Sequence, residues 1–147
     1  MCHCTQRGDE KILLPLLDES DKFIAGAALA ALCNSFGQRD VLLNRIIGFI
    51  RTEVVSSYDD NELEFQAILE LADLAKNNKE MAQVLCKLAK ERHSIGENVH
   101  SSNTVFLWER LADVAGVKMS TDESNELFYN PDSLRSKEIK SRLYDNI

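Results

Sequence analysis

The chain has 147 residues, enough for one domain with a single apolar core. Its 44% apolar and 28% charged residues exclude a disordered chain, and the longest apolar-rich stretch, 11 residues from Phe23 to Cys33, is too short to span a membrane. The net charge of −7 argues against a nucleic-acid partner and suits a basic protein partner. Because the N-terminal sequence shows no signal-peptide pattern, we predict a cytoplasmic protein with reduced cysteines.

Helical patterns follow one another up to Lys118, and no segment alternates long enough to predict a strand. A short "KILLPLLDE" precedes the first long pattern, "DKFIAGAALAALCNSFG". Further helices are predicted over Arg39–Val54, over "NELEFQAILELADLAKNN", over Lys79–Arg92 and over "NTVFLWERLADVAGVK".

Residues typical of helix ends mark these segments. The predicted N-terminal caps are Asp59 with Glu62, Asn77 with Glu80, and Ser101 or Ser102, and the predicted left-handed C-terminal caps are Gly37 and Gly116.

A pentapeptide recurs in the chain. "LADLA" runs from Leu71 to Ala75, and "LADVA" runs from Leu111 to Ala115, forty residues later. The first long pattern fits the same template, with Leu29 at the position of Leu71 and Leu111. A helix pair cannot bury its apolar face alone, so recurring pairs predict a stack in which each copy covers the next.

This repeat of about 40 residues, with two helices in each copy, resembles the HEAT and armadillo class. The resemblance covers Asp9–Lys118, and Pro15 in the first helix is typical of a HEAT repeat. It implies an all-α fold, a short α-solenoid of about three HEAT-like helix pairs. The alternative is an irregular all-α bundle in which the pentapeptide recurs by chance.

The C-terminal segment 119–147 lacks the repeat. Its first part, "MSTDESNELFYN", predicts a polar loop. A last helix is then predicted, with Asn130 as its N-cap and Pro131 in its first turn. We interpret it as a capping helix that closes the stack within a single domain, 1–147; a detachable docking helix is the alternative.

Catalytic and metal-binding signals are weak. Cys2, His3 and Cys4 are spaced too tightly for a zinc site, so we predict no metal and no cofactor. The loop "RHSIGENVHSSN" carries His93 and His100, which could perform acid–base chemistry, although a solvated loop is the simpler interpretation. The sequence has no nucleophile motif and no Gly-rich phosphate loop, so we predict that the protein is not an enzyme.

Acidic residues are concentrated between Thr52 and Ala75, where seven carboxylates occur without Lys or Arg. On a helical wheel of the second copy, Glu62, Gln66 and Asp73 share an outward stripe with Glu70 beside it, and the matching stripe of the third copy holds Phe106 and Asp113 with Glu109 adjacent. In HEAT-like stacks, this row of second helices lines the concave surface. The predicted partner-binding residues are Glu62, Gln66, Glu70, Asp73, Phe106, Glu109 and Asp113. The alternative is an ordinary solvated face.

An aromatic residue among carboxylates is typical of a surface that binds a basic protein. We therefore predict a non-catalytic protein-binding module. In general character it resembles bacterial immunity proteins that neutralise a cationic, nuclease-type toxin. The alternatives are a generic HEAT-like adaptor, or an enzyme or ligand-binding protein that uses the His93–His100 loop.

Overall fold

The computed structural model describes residues 9–55, 61–95 and 101–147. These residues are mostly helical, which confirms the predicted all-α class. They belong to two compact units: the first comprises residues 1–50 and 61–70, and the second comprises residues 51–60 and 71–147. The single domain and the three-pair solenoid stay predictions.

In the described part of the first unit, the first helix is α1, Asp9–Leu13, which continues as a 3₁₀ turn over Leu14–Asp18 with Pro15 near its start. Helix α2 covers Lys22–Asn34, and helix α3 covers Leu43–Phe49. The helix predicted over Arg39–Val54 is therefore too long. Its backbone becomes extended at Ile50, and residues further on pair in a sheet, so tertiary pairing overrides the helical pattern there.

Helix α2 supplies much of the core of the first unit. The Asp21 carboxylate caps it by accepting hydrogen bonds from the backbone N–H groups of Phe23 and Ile24, at 3.0 and 3.4 Å. Its buried apolar side chains are Ala25, Ala28, Leu29, Leu32 and Cys33. Beyond its end, Gly37 has the left-handed φ of 61° that was predicted from the sequence.

Helices α4, Glu62–Ala75, and α5, Lys79–Glu91, are close to their predicted bounds. Asn61 Oδ1 accepts a hydrogen bond from Glu64 N at 2.9 Å, whereas Asp59 lies outside the described residues. The predicted cap Asn77 is wrong by one residue. Asn78 has the extended backbone of an N-cap, and its Oδ1 accepts hydrogen bonds from the backbone N–H groups of Glu80 and Met81.

Among its described residues, the second unit contains two short strands that the sequence did not predict. Strand β1, Glu53–Val54, pairs in parallel with strand β2, His93–Ser94. His93 N donates to Thr52 O, and Ile95 N donates to Val54 O, each at 2.8 Å. Strands of two residues are too short to produce an alternating pattern, so this pairing left no signal.

Helix α6, Ser102–Ala115, has the predicted caps at both ends. Ser101 Oγ accepts a hydrogen bond from Thr104 N at 3.3 Å, and Gly116 has a φ of 71°. The N–H groups of Gly116 and Val117 both donate to carbonyl groups in the last turn. Trp108 is buried in the middle of this helix, and its ring centroid lies 5.4 Å from that of Tyr144.

The polar loop predicted after Lys118 is wrong, because this segment forms helix α7, Thr121–Tyr129. Ser120 and Glu123 form a capping box there, in which each side chain bonds to the backbone N–H of the other residue. Helix α8 covers Leu134–Tyr144 and is capped by Ser133. The predicted N-cap Asn130 instead ends α7, and its carbonyl accepts a hydrogen bond from Ser136 Oγ at 2.6 Å.

Helix α6 is the central helix of the second unit, since it packs against α5, α7 and α8. The three leucines that the repeat aligns, Leu29, Leu71 and Leu111, are all fully buried. Their equivalence within a stack stays a prediction.

Candidate functional site

The predicted partner-binding residues lie on two helices. Glu62, Gln66 and Glu70 belong to the part of α4 in the first unit, whereas Asp73 and the three residues of α6 belong to the second unit. The two groups are therefore separate candidate surfaces.

Glu70 is not on an outward surface: it is only 2% exposed, so its predicted place beside the outward stripe of α4 is wrong. Arg39 Nε donates a hydrogen bond to Glu70 Oε2 at 2.7 Å, and Gln66 Nε2 donates to Oε1 at 3.0 Å. Because the ion pair and the amide satisfy the carboxylate, it can be buried within the first unit.

Cys33 belongs to the same buried cluster. The pKa of its thiol is raised from 9.0 to about 11, mainly because the thiol is buried. The negative charge of Glu70 also raises this pKa, by more than the positive charge of Arg39 lowers it. The thiol is free and protonated at neutral pH. The cluster of Cys33, Arg39, Gln66 and Glu70 thus lies within the first unit, and the raised pKa of its buried thiol disfavours the reactive thiolate.

Glu62 and Gln66 are half-buried beside a shallow groove of about 190 Å³. Phe23, Gly26, Ala27 and Ala30 of α2 line the rest of this groove. Phe23 is one of the most exposed large apolar side chains of the described residues, and the sequence analysis did not single it out.

In the second unit, Asp73 is exposed, as predicted, and forms an ion pair of 3.6 Å with Lys76 one turn further along α4. Such an exposed i,i+3 pair is weak and strongly screened, so the carboxylate can exchange this partner for another cation.

Phe106, Arg110 and Asp113 form one connected cluster on α6. The Arg110 guanidinium carbon lies 5.2 Å from the centre of the Phe106 ring, and its Nη2 lies 2.9 Å from Asp113 Oδ2. Phe106 is half-buried and Asp113 is exposed. Arg110 was missed from sequence, although its i,i+3 spacing to Asp113 was visible.

Glu109 lies between two surface clefts. One, of about 420 Å³, is also lined by Asp113 and Lys118. The other, of about 370 Å³, is lined on its far side by α7, including Phe128 and Tyr129. These aromatic residues are not recognisable from the sequence, because the polar composition of this segment predicts a loop where α7 forms.

The alternative site, the His93–His100 loop, is only partly described, since Glu97 and His100 lie outside the described residues. His93 is exposed within β2. Its Nδ1 lies 2.9 Å from the carbonyl oxygen of Glu91, and its Nε2 lies 4.0 Å from the Glu53 carboxylate. These are exposed contacts beside the main-chain pairing of the short sheet, and they bring no nucleophile to the ring.

Arg92 precedes this histidine and is buried. Its Nε donates to Thr104 Oγ1 and its Nη1 donates to Arg51 O, each at 2.7 Å. Arg92 thus joins the short sheet to the first turn of α6.

The predicted metal candidates Cys2, His3 and Cys4 lie outside the described residues. Within residues 9–55, 61–95 and 101–147, no three or more His, Cys, Asp or Glu residues are grouped as a metal site would require. Cys33 and Cys86 are buried, free thiols, as predicted. Burial also raises the pKa of Cys86.

Comparison with protein-family models, with curated proteins and with solved structures returned no match. In the part of the chain that the structure describes, no helix has the length and apolar character to cross a membrane.

Proposed function

We propose that this protein is a non-catalytic binding module that recognises a basic protein partner through acidic surfaces on α4 and α6. The observation that carries the proposal is the arrangement on α6, where half-buried Phe106 is followed along the helix by Glu109 and Asp113, and Arg110 contacts both the Phe106 ring and Asp113. Aromatic anchors surrounded by charged groups are typical of protein interfaces. The net charge of −7 adds long-range attraction for a basic partner.

In its most concrete form, the partner is a cationic, nuclease-type toxin, and the protein is a cytoplasmic immunity protein. A nuclease carries a basic substrate surface because it binds phosphates, and an acidic surface can occupy it. The fold we propose for this module is the HEAT-like solenoid; the burial of Leu29, Leu71 and Leu111 supports that fold. A generic adaptor would use the same surface for a different basic partner.

The experiment is affinity purification of the tagged protein from its native host after mild cross-linking. We expect a basic protein in stoichiometric amount. A triple variant with Asp73→Lys, Glu109→Lys and Asp113→Lys should lose it. The matched control carries Glu19→Lys, Glu138→Lys and Asp145→Lys at other exposed positions, and it has the same net charge.

Retention of the partner by the control, with loss in the α4–α6 variant, supports a specific acidic surface. Equal recovery with both variants would show that only net charge matters and would overturn the proposed surface. Recovery of no protein partner by the wild-type chain would overturn the binding function.

A further inference from the structure

The cleft of about 370 Å³ between α6 and α7 has features that the proposed acidic surface does not use. Its volume is near the lower end of the range of about 300–1,000 Å³ that is typical of ligand sites, so it suits a single long side chain. All of its lining residues belong to the second unit. The residues that matter chemically are Glu109, Ser124, Asn125, Phe128 and Tyr129.

The wall that α7 contributes is aromatic. The ring centroids of Phe128 and Tyr129 are 4.8 Å apart, and the ring planes meet at 90°, so the two rings form a corner. Tyr129 is 60% exposed, which leaves ring surface accessible, whereas Phe128 is half-buried. The exposed face of an aromatic ring attracts cations, and guanidinium groups can also stack on it.

The wall that α6 contributes carries negative charge. Glu109 is half-buried, and its carboxylate makes no hydrogen bond or ion pair within the part of the chain that the structure describes. The adjacent cation, Arg110, is engaged by Asp113 and by the Phe106 ring instead. The charge of Glu109 is therefore available to a cation that enters from outside.

We propose that this cleft binds an arginine side chain of the basic partner. The guanidinium plane stacks on Tyr129, and its N–H groups donate to the Glu109 carboxylate. Ser124 and Asn125 add oxygen atoms that can accept the remaining N–H groups. Arginine fits better than lysine because it is planar and forms paired hydrogen bonds with a carboxylate. This proposal rests on the proposed function, for which it names the anchor of the partner.

The test uses a defined probe rather than the unknown partner. The ¹⁵N-labelled protein is titrated with the peptide acetyl-Gly-Arg-Gly-amide, and backbone amide shifts are followed by NMR. The matched peptide has citrulline, a neutral isostere of arginine. We expect saturable shifts at Glu109 and along α7, with roughly millimolar affinity for the arginine peptide. The citrulline peptide should bind at least roughly tenfold more weakly, because its neutral ureido group lacks the positive charge that attracts the carboxylate and the aromatic ring.

Two variants test the two walls separately. Glu109→Gln removes the charge, and Tyr129→Leu removes the ring while it keeps an apolar side chain. Each substitution should lower the affinity for the arginine peptide roughly three- to tenfold. Glu138→Gln is the control: this exposed residue of α8 lies outside the cleft lining, and its variant undergoes the same change in charge as Glu109→Gln. It should leave the affinity unchanged.

Equal binding of the citrulline peptide, unchanged affinity in Glu109→Gln, or shifts confined to other surfaces would each overturn the arginine site. The affinity purification remains a separate test of the acidic surface. If the partner is captured through the acidic residues but the peptide does not bind the cleft, only the arginine site fails. If the peptide binds the cleft but no partner is recovered, the proposed function fails and the cleft remains a site for guanidinium groups.

Discussion

Two carboxylates on helix α4 show how burial decides what an acidic residue does. Glu70 is buried and paired with Arg39, whereas Asp73, three residues later, is exposed and only loosely paired with Lys76. A charged pair that lies within the protein stabilises it only while both members are present. Glu70 therefore has a structural role, whereas the carboxylate of Asp73 lies at the surface.

We predict that Glu70→Ala lowers the free energy of unfolding by about 3 kcal/mol, because it removes the carboxylate partner of a half-buried guanidinium. Asp73→Ala, the matched change on the same helix, should alter it by less than about 0.5 kcal/mol. Urea denaturation followed by circular dichroism measures both. Equal effects of the two substitutions would show that the pair of Arg39 and Glu70 does not stabilise the first unit.

The second prediction concerns the Cys33 thiol, whose pKa rises from 9.0 to about 11 on burial. The unfolded chain loses this proton at a lower pH than the folded chain. The contribution of the Cys33 thiol to the free energy of unfolding is therefore complete below pH 9, and it is lost as the pH rises towards 11. Between pH 8 and pH 10.5, the stability difference between wild type and Cys33→Ala should shrink by about 1 kcal/mol for each pH unit above 9.

Denaturation of both proteins at the two pH values measures this difference, and the ionisation of lysines affects both alike. If the two stability curves stay parallel across this pH range, the thiol pKa is not raised by burial.

At the residue scale, the sequence predicted the buried thiols but misplaced Glu70. A helical wheel gives the direction of a side chain around its own helix. It does not show that Arg39, 31 residues earlier in the chain, approaches that face. The exposed positions Asp73 and Asp113 were predicted correctly because they lie opposite the leucines of the repeat.

At the scale of helices, two glycines differ in how closely other atoms pack against them. A Cβ atom added to Gly26 of α2 would lie 2.8 Å from the backbone oxygen of Glu62 in α4. A Cβ atom added to Gly48 of α3 would meet no atom within 4 Å. Gly26 is thus required for the contact between α2 and α4 in the first unit, whereas Gly48 is not required for packing.

We predict that Gly26→Ala destabilises the protein by about 1–3 kcal/mol, because backbone atoms must move apart. Gly48→Ala should stabilise it by about 0.5–1 kcal/mol, since alanine is the better helix former. The melting temperatures of the two variants should therefore move in opposite directions from that of the wild type. A stabilised Gly26→Ala protein would contradict the close approach of these helices.

Helix prediction succeeded where an apolar period and a cap agreed, as in α2 and α6. It failed for α7, whose polar composition concealed the capping box of Ser120 and Glu123, and for α3, which ends early. Hydrogen bonding to the backbone N–H of Ser120 lowers the pKa of Glu123, and Arg142 of α8 lowers it further. The contact with α8 could not be predicted, because it joins residues 19 positions apart.

At the scale of the whole molecule, the proposed function assigns two roles: the surplus of negative charge would act at a distance, and Phe106 would act as an anchor on contact. Electrostatic steering raises the rate of encounter with a basic partner, and salt screens it over a Debye length of about 10 Å at 0.1 M. An anchor such as Phe106 mainly slows dissociation. The two contributions can therefore be separated by kinetics.

We predict that the double variant with Asp73→Lys and Asp113→Lys associates about tenfold more slowly with the recovered partner at low salt and loses most of its salt dependence. Phe106→Ala should instead weaken binding by about 1–4 kcal/mol through faster dissociation. Surface plasmon resonance at two salt concentrations measures both rates, and circular dichroism verifies folding. The Arg110 guanidinium lies over the Phe106 ring, so Phe106→Ala also removes a contact of Arg110. Arg110→Ala is therefore the control: it shows how much of the effect on binding comes from Arg110 rather than from the Phe106 ring.

A different set of results would place the functional site elsewhere in the chain. If the charge-reversed protein binds with unchanged kinetics, the carboxylates of α4 and α6 do not steer the partner. If His93→Ala or His100→Ala then abolishes activity, the segment from Arg92 to Asn103 is the site. The main chain of His93 pairs with strand β1, and its side chain takes no part in this pairing. Replacing His93 by alanine should therefore leave the sheet intact. Loss of activity in a folded His93→Ala protein would therefore report chemistry at the imidazole rather than damage to the fold.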